Sequence, residues 1–106
     1  MTNALVNIPD TASYGEIVEI KLLISHPMET GFRPRADGVL VPRDIITSLR
    51  CLYGGDTVLE VDLHPAISAN PYLAFHLKAV RSGEIVLEWT DWQGDVHREV
   101  RQITVA

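Results

Sequence analysis

One cysteine in 106 residues, Cys51, leaves no partner for an internal disulfide and too few thiolates for a zinc site built from several of them. The fold must rest on its packed core. Basic side chains are also scarce: nine Lys and Arg against fourteen Asp and Glu give a formal charge of -5, the wrong sign for neutralising a phosphate backbone. Nucleic acid is set aside as a partner. Long apolar runs are missing, because Glu19 and Lys21 interrupt the best candidate between Ile17 and Ile24, whereas a membrane helix needs about 20 apolar residues. No stretch of a dozen residues keeps a 3.6-residue apolar period without Gly, Pro or β-branched residues, so little helix is expected. Met1 to Asp10 hold no Lys or Arg and no long apolar run, and so do not read as a secretory signal.

What is present fits a globular β domain. Hydrophobic residues make up 46% and charged residues 22%, a balance that can support a core, and the length suits one domain spanning residues 1–106. Glu16 to Ile24 is β-branched and apolar behind the turn former Gly15. Ile45 to Tyr53 and Thr57 to Leu63 alternate apolar with polar residues on either side of Gly54-Gly55-Asp56, the pattern of a hairpin. The same pattern over Leu73 to Ala79, Arg81-Ser82-Gly83 and Ile85 to Trp89 predicts a second hairpin. A turn at Asp91 to Asp95 leads into Val96 to Val105, where the inward set shifts from Val96 and Val100 to Ile103 and Val105, as a bulge would cause. With Ala4 to Ile8 at an edge, the count is seven antiparallel strands, an all-β sandwich of immunoglobulin type.

Two connections exceed a minimal turn. His26 to Val41 carries Pro27, Gly31, Pro34 and Gly38 among charges and predicts a surface loop. His64 to Tyr72 is unusually apolar and stiffened by Pro65 and Pro71. A segment of that kind calls for a surface to lie against.

Catalytic constellations are not visible. His26, His64, His76 and His97 fall on separate segments without ligand spacing, so no metal and no cofactor is expected. A blue-copper set of His, Cys and Met fails locally, since Cys51 lies mid-strand and far from Met28. Cys51 alternates inward with Leu49 and Tyr53, which predicts a small buried hydrophobe; a thiol enzyme using Cys51 is the less favoured alternative. Glu60 with Asp62, and Glu84 with Glu88, occupy outward strand positions where carboxylates are solvated. What remains is a rigid sandwich presenting two unusual loops, which argues for a binding subunit rather than an enzyme.

One stretch is specific. Lys21-Leu22-Leu23-Ile24-Ser25-His26-Pro27-Met28-Glu29-Thr30-Gly31-Phe32-Arg33 resembles the signature of the SoxZ family, the smaller subunits of the SoxYZ sulfur carrier of thiosulfate oxidation. The resemblance continues through Val41 to Ile46, Tyr53-Gly54, His64 to Ile67 and Asn70 to Phe75. It implies a sandwich fold and a heterodimeric partner, a SoxY-type subunit whose Gly-flanked C-terminal cysteine carries sulfur intermediates between enzymes. Cys51 does not match that carrier cysteine. The resemblance further implies a non-catalytic scaffold, transient contact with other Sox enzymes, and a periplasmic location reached by co-export with SoxY. A homodimer is a further option when the partner is absent, and a generic immunoglobulin-like binding module is the alternative function. The residues assigned to the partner interface are His26, Met28, Glu29, Phe32, Arg33, His64, Ile67, Asn70, Tyr72 and Phe75. Met28, Phe32, Ile67, Tyr72 and Phe75 are expected to bury apolar area there, with Arg33 and Asn70 making orienting hydrogen bonds.

Overall fold

A computed structural model describes residues 3–63 and 69–106. Eight strands form two sheets facing one another: β1 (Asn3–Asn7), β2 (Thr11–Ala12), β3 (Ile17–Ser25), β4 (Ile46–Tyr53), β5 (Asp56–Asp62), β6 (Tyr72–Lys78), β7 (Gly83–Asp91) and β8 (Val96–Val105). One sheet has the order β1-β3-β6 and the other β2-β8-β7-β4-β5. Every pair is antiparallel except β2 with β8. The all-β sandwich is as the alternation predicts. Its eighth strand, β2, is two residues long and offers no period to read.

The core comes from alternate residues of the central strands. Val18, Ile20, Leu22 and Ile24 of β3 face Leu49, Cys51 and Tyr53 of β4 and Ile85, Leu87 and Trp89 of β7, all buried. Each large apolar side chain so covered contributes about 1.5–3 kcal/mol. The β4–β5 hairpin closes through Gly54 and Gly55, whose φ values of 58° and 89° give the doubly left-handed turn that matches strand twist. Gly54 is needed twice, since a Cβ there would stand 2.6 Å from Nε of Arg81.

The second predicted hairpin is not formed. β6 pairs with β3, whereas β7 pairs with β4 and β8, so residues 79–82 carry the chain from one sheet to the other. The Tyr53 hydroxyl accepts from the N–H groups of Val80 (3.2 Å) and Arg81 (2.9 Å) and donates to the Arg81 carbonyl. Ala79 bonds Gly15 and Glu16 instead of its own neighbours. A sheet-switching corner and a hairpin turn carry the same local signature, and only the distant tyrosine separates them.

β8 also differs from expectation. Its register with β7 runs unbroken from Val96 to Ile103, without the predicted bulge. The odd-numbered residues point inward throughout, and Val96 and Val100 lie outside, 56% and 42% exposed. Polar side chains fill the inward positions in pairs: His97 stacks on Trp89 at 6.0 Å, and Arg101 bonds Glu99 at 2.9 Å. Glu88, expected to be solvated, faces outward yet is only 5% exposed because Arg50 and Arg98 lie over it.

Candidate functional site

The loop from His26 to Asp44 departs from the end of β3 and is pinned at several points. Asn70, just before β6, bonds His26 in both directions: the His26 N–H donates to Oδ1 at 3.0 Å and the Asn70 N–H donates to the His26 carbonyl at 2.7 Å. Asn70 sits at φ 54°, a left-handed conformation that asparagine tolerates better than most residues. Inside the loop, Nδ1 of His26 accepts from the Met28 N–H at 3.0 Å, and Nε2 lies 3.3 Å from Oδ1 of Asp44. Met28, also left-handed at φ 52°, turns its side chain into the core, where Sδ accepts from the Ile46 N–H at 3.4 Å.

The return limb is held just as firmly. Glu29 and Asp44 exchange backbone hydrogen bonds of 2.8 and 2.9 Å, closing the loop base as an isolated β-bridge. Gly31 at φ 91° lets the backbone pass Arg43, whose Cβ would be 3.3 Å from an added methyl. Nε of Arg43 donates to the Thr30 carbonyl at 2.9 Å, and its guanidinium lies 5.9 Å from the Phe32 ring and 4.8 Å from the Trp92 ring. Contacts of that kind are worth about 0.5–1 kcal/mol when exposed. Trp92 belongs to the β7–β8 turn and bonds the Ile45 carbonyl at 2.7 Å, so loop and turn form one end of the sandwich. Further along the outgoing limb, Arg33 clamps both oxygens of Glu29, with Nη2 at 2.7 Å from Oε1. Those hydrogen bonds hold the Glu29 carboxyl below its ordinary range and raise Arg33 above its own.

Between loop and turn lies an open hollow of about 660 Å³, lined among others by His26, Glu29, Arg43, Asp44, Asp91 and His97. Nε2 of His97 lies 3.1 Å from Oδ2 of Asp91. The Asp91 carboxyl also accepts the N–H groups of Gln93 and Asp95; burial pushes it up, but the His97 and backbone bonds together hold it low. Carboxylates outnumber cations there, which suits basic or neutral side chains of a partner. No cluster of three His, Cys, Asp or Glu able to hold a metal occurs among the described residues. Cys51 is buried, and desolvation pushes its thiol up to about 11, the opposite of an activated nucleophile.

The residues assigned to the interface divide into two groups. His26 and Met28 are buried at 7% and 5%; Met28 shapes the loop from within, and His26 shows only its edge to the hollow. Asn70 orients the loop of its own chain. Phe32 and Tyr72, 74% and 60% exposed, present apolar rings outward. Arg33 is exposed with its fork on Glu29. Phe75 is half-buried against the core from β6. His64 and Ile67 lie outside the described residues. Tyr72 and Leu73 border a small apolar cleft of about 270 Å³ between the edges of β5 and β6. Sequence reasoning missed Arg43, Asp44 and Trp92 as the struts of the loop, because each acts across a distance that no local pattern encodes.

The model of the family described as Sulphur oxidation protein SoxZ matches residues 6–102. The chain belongs to the SoxZ family. It therefore has a role in the Sox sulfur-oxidation system, as the resemblance of the loop sequence implied. Among curated proteins none matches it. Among solved structures, the sulfur carrier protein SoxY from Chlorobium limicola f thiosulfatophilum is similar, with 17% identity, a TM-score of 0.68, and coverage of 97% of this chain and 78% of that one. Superoxide reductase (neelaredoxin) from Ignicoccus hospitalis is similar at 16% identity and a TM-score of 0.74, covering 99% and 82% of the two chains. A putative superoxide reductase from Thermotoga maritima is similar at 17% identity and a TM-score of 0.73, over 97% and 85%. At such identities the shared property is the fold.

Proposed function

We propose that this chain is the non-catalytic scaffold subunit of a SoxYZ-type carrier, holding a SoxY-type subunit whose Gly-flanked cysteine bears the sulfur intermediate. The observation that carries the reading is a braced loop with an exposed aromatic ring: Phe32 is 74% exposed on a segment fixed by His26–Asn70, Glu29–Asp44 and Arg43–Trp92. A rigid loop loses little conformational freedom on binding, and an exposed ring on it is the usual anchor of a protein interface. Tyr72 at the start of β6 is the second anchor. The buried, high-pKa Cys51 supports the view that the carrier thiol belongs to the partner. Location in the periplasm would follow from co-export with that partner.

Native mass spectrometry of the chain mixed with a SoxY-type protein ending in a Gly-flanked cysteine tests the reading. A 1:1 complex that survives alkylation of the carrier thiol and is weakened at least about tenfold by Phe32→Ser supports it. Absence of any complex overturns it.

A further inference from the structure

On the outer face of the five-stranded sheet, four charged residues stand in one row across four strands. Cross-strand pairing sets Arg98 of β8 beside Glu88 of β7, Glu88 beside Arg50 of β4, and Arg50 beside Glu60 of β5. Glu88 is held from both sides: Nε of Arg50 reaches Oε1 at 2.5 Å and Nε of Arg98 reaches Oε2 at 2.6 Å. The two arginines and one carboxylate leave one positive charge in excess. Glu60 is exposed and has no ion-pair partner among the described residues. Within the chain it stands three strand spacings, about 14 Å, from Arg98 and cannot meet it.

We propose that this face is a contact between two copies of the chain related by a two-fold axis. An even, alternating ladder is complementary to itself when reversed. With the axis in the contact plane, parallel to the strands and between β7 and β4, Arg98 of one copy meets Glu60 of the other, and Glu88 meets Arg50. Both excess charges are then answered, and both exposed carboxylates find a guanidinium. The row Val100, Val86, Leu52 and Thr57 lies along one side of the ladder, and in the same operation Val86 meets Leu52 while Val100, which is 42% exposed, is covered by Thr57 of the other copy. Strands of the two copies then run nearly parallel, the ordinary aligned arrangement of packed sheets. Four strands at about 4.8 Å spacing and about seven residues at about 3.3 Å give roughly 440 Å² in projection, which suits a weak dimer rather than an obligate one. The face is separate from the His26–Asp44 loop, so two carrier heterodimers could pair through it with their loops still engaged.

Sedimentation equilibrium of the full chain, with a mixing experiment, tests this. The wild type is expected to dimerise at micromolar concentration, less tightly as salt rises, and Glu60→Arg to weaken the dimer at least about tenfold by placing like charges at both ends of the ladder. Glu60→Arg and Arg98→Glu should each be monomeric alone and form a heterodimer when mixed, because both ends are then complementary. Arg98→Glu also faces Glu88 and is the variant at risk of unfolding. Glu60→Arg sits on an exposed edge, and an undiminished dimer in that variant alone overturns the proposal. A wild-type chain still monomeric at about 0.2 mM also overturns it. So does a Glu60→Arg effect confined to the complex with a SoxY-type subunit, which would make that subunit the occupant of the face.

Discussion

Asn70 and His26, 44 residues apart, hold each other by two hydrogen bonds, and through them the start of β6 fixes the root of the loop that leaves β3. The left-handed backbone of Asn70 allows both bonds to form at once. Asn70→Ala removes the side-chain acceptor and leaves a β-carbon at positive φ, so a loss of about 1–2 kcal/mol in stability is expected. The larger effect should be on partner affinity, because a loosened loop must be ordered on binding. Denaturant melts and titration with a SoxY-type partner measure the two; an affinity loss no larger than the stability loss would detach the loop from binding.

Glu88 makes the sheet sensitive to acid. Hydrogen bonds from Arg98, and then from Arg50, hold its carboxyl below the ordinary value of 4.5 despite its burial. Its stabilisation is fully present above the unfolded value and is lost as pH falls through the lower folded one. The thermal midpoint should therefore decline below about pH 4.5, and Glu88→Gln should flatten that part of the profile while costing about 1–3 kcal/mol at neutral pH. An unchanged acid limb in Glu88→Gln would assign the acid response to other carboxylates.

Cys51 should resist chemistry in the folded state. With its thiol pushed up to about 11 by desolvation and its side chain buried, native alkylation at pH 7–8 should be slow and become rapid in denaturant. Rapid native labelling would revive a thiol function.

Tyr53 is the residue that turns the chain from one sheet to the other. Tyr53→Phe leaves the N–H groups of Val80 and Arg81 and the Arg81 carbonyl without the phenol, an expected cost of about 1–3 kcal/mol. Hydrogen exchange should rise at residues 79–82 ahead of the rest of the chain. Uniform exchange would show that the corner is held by packing alone.

Strand positions were legible because each central strand buries alternate residues, and that alternation is written directly in β3, β4 and β7. Pairing was not. Leu73 to Trp89 reads as a hairpin because the phenol that breaks it lies on β4, well before it in sequence. The inward course of β8 was misread for a similar reason: His97, Glu99 and Arg101 face inward as pairs, and a hydrophobicity pattern cannot register a satisfied polar pair. In the loop, exposed Phe32 and buried Met28 are alike to a sequence reading, and only the N–H of Ile46 aimed at Met28 sulfur separates them. The family signature singles out the braced segment without stating which of its side chains face out.

The packing of Arg43 on Trp92 has an optical consequence. The chain has two tryptophans, and they occupy opposite environments: Trp89 is 2% exposed in the core, whereas Trp92 is 50% exposed beside the loop. The red part of the intrinsic emission should thus come from Trp92, and a partner settling on this end of the sandwich should shift or quench that part alone. The unlabelled protein carries its own fluorescent gauge of occupancy at the candidate site, with Trp89 as the internal reference for an intact core.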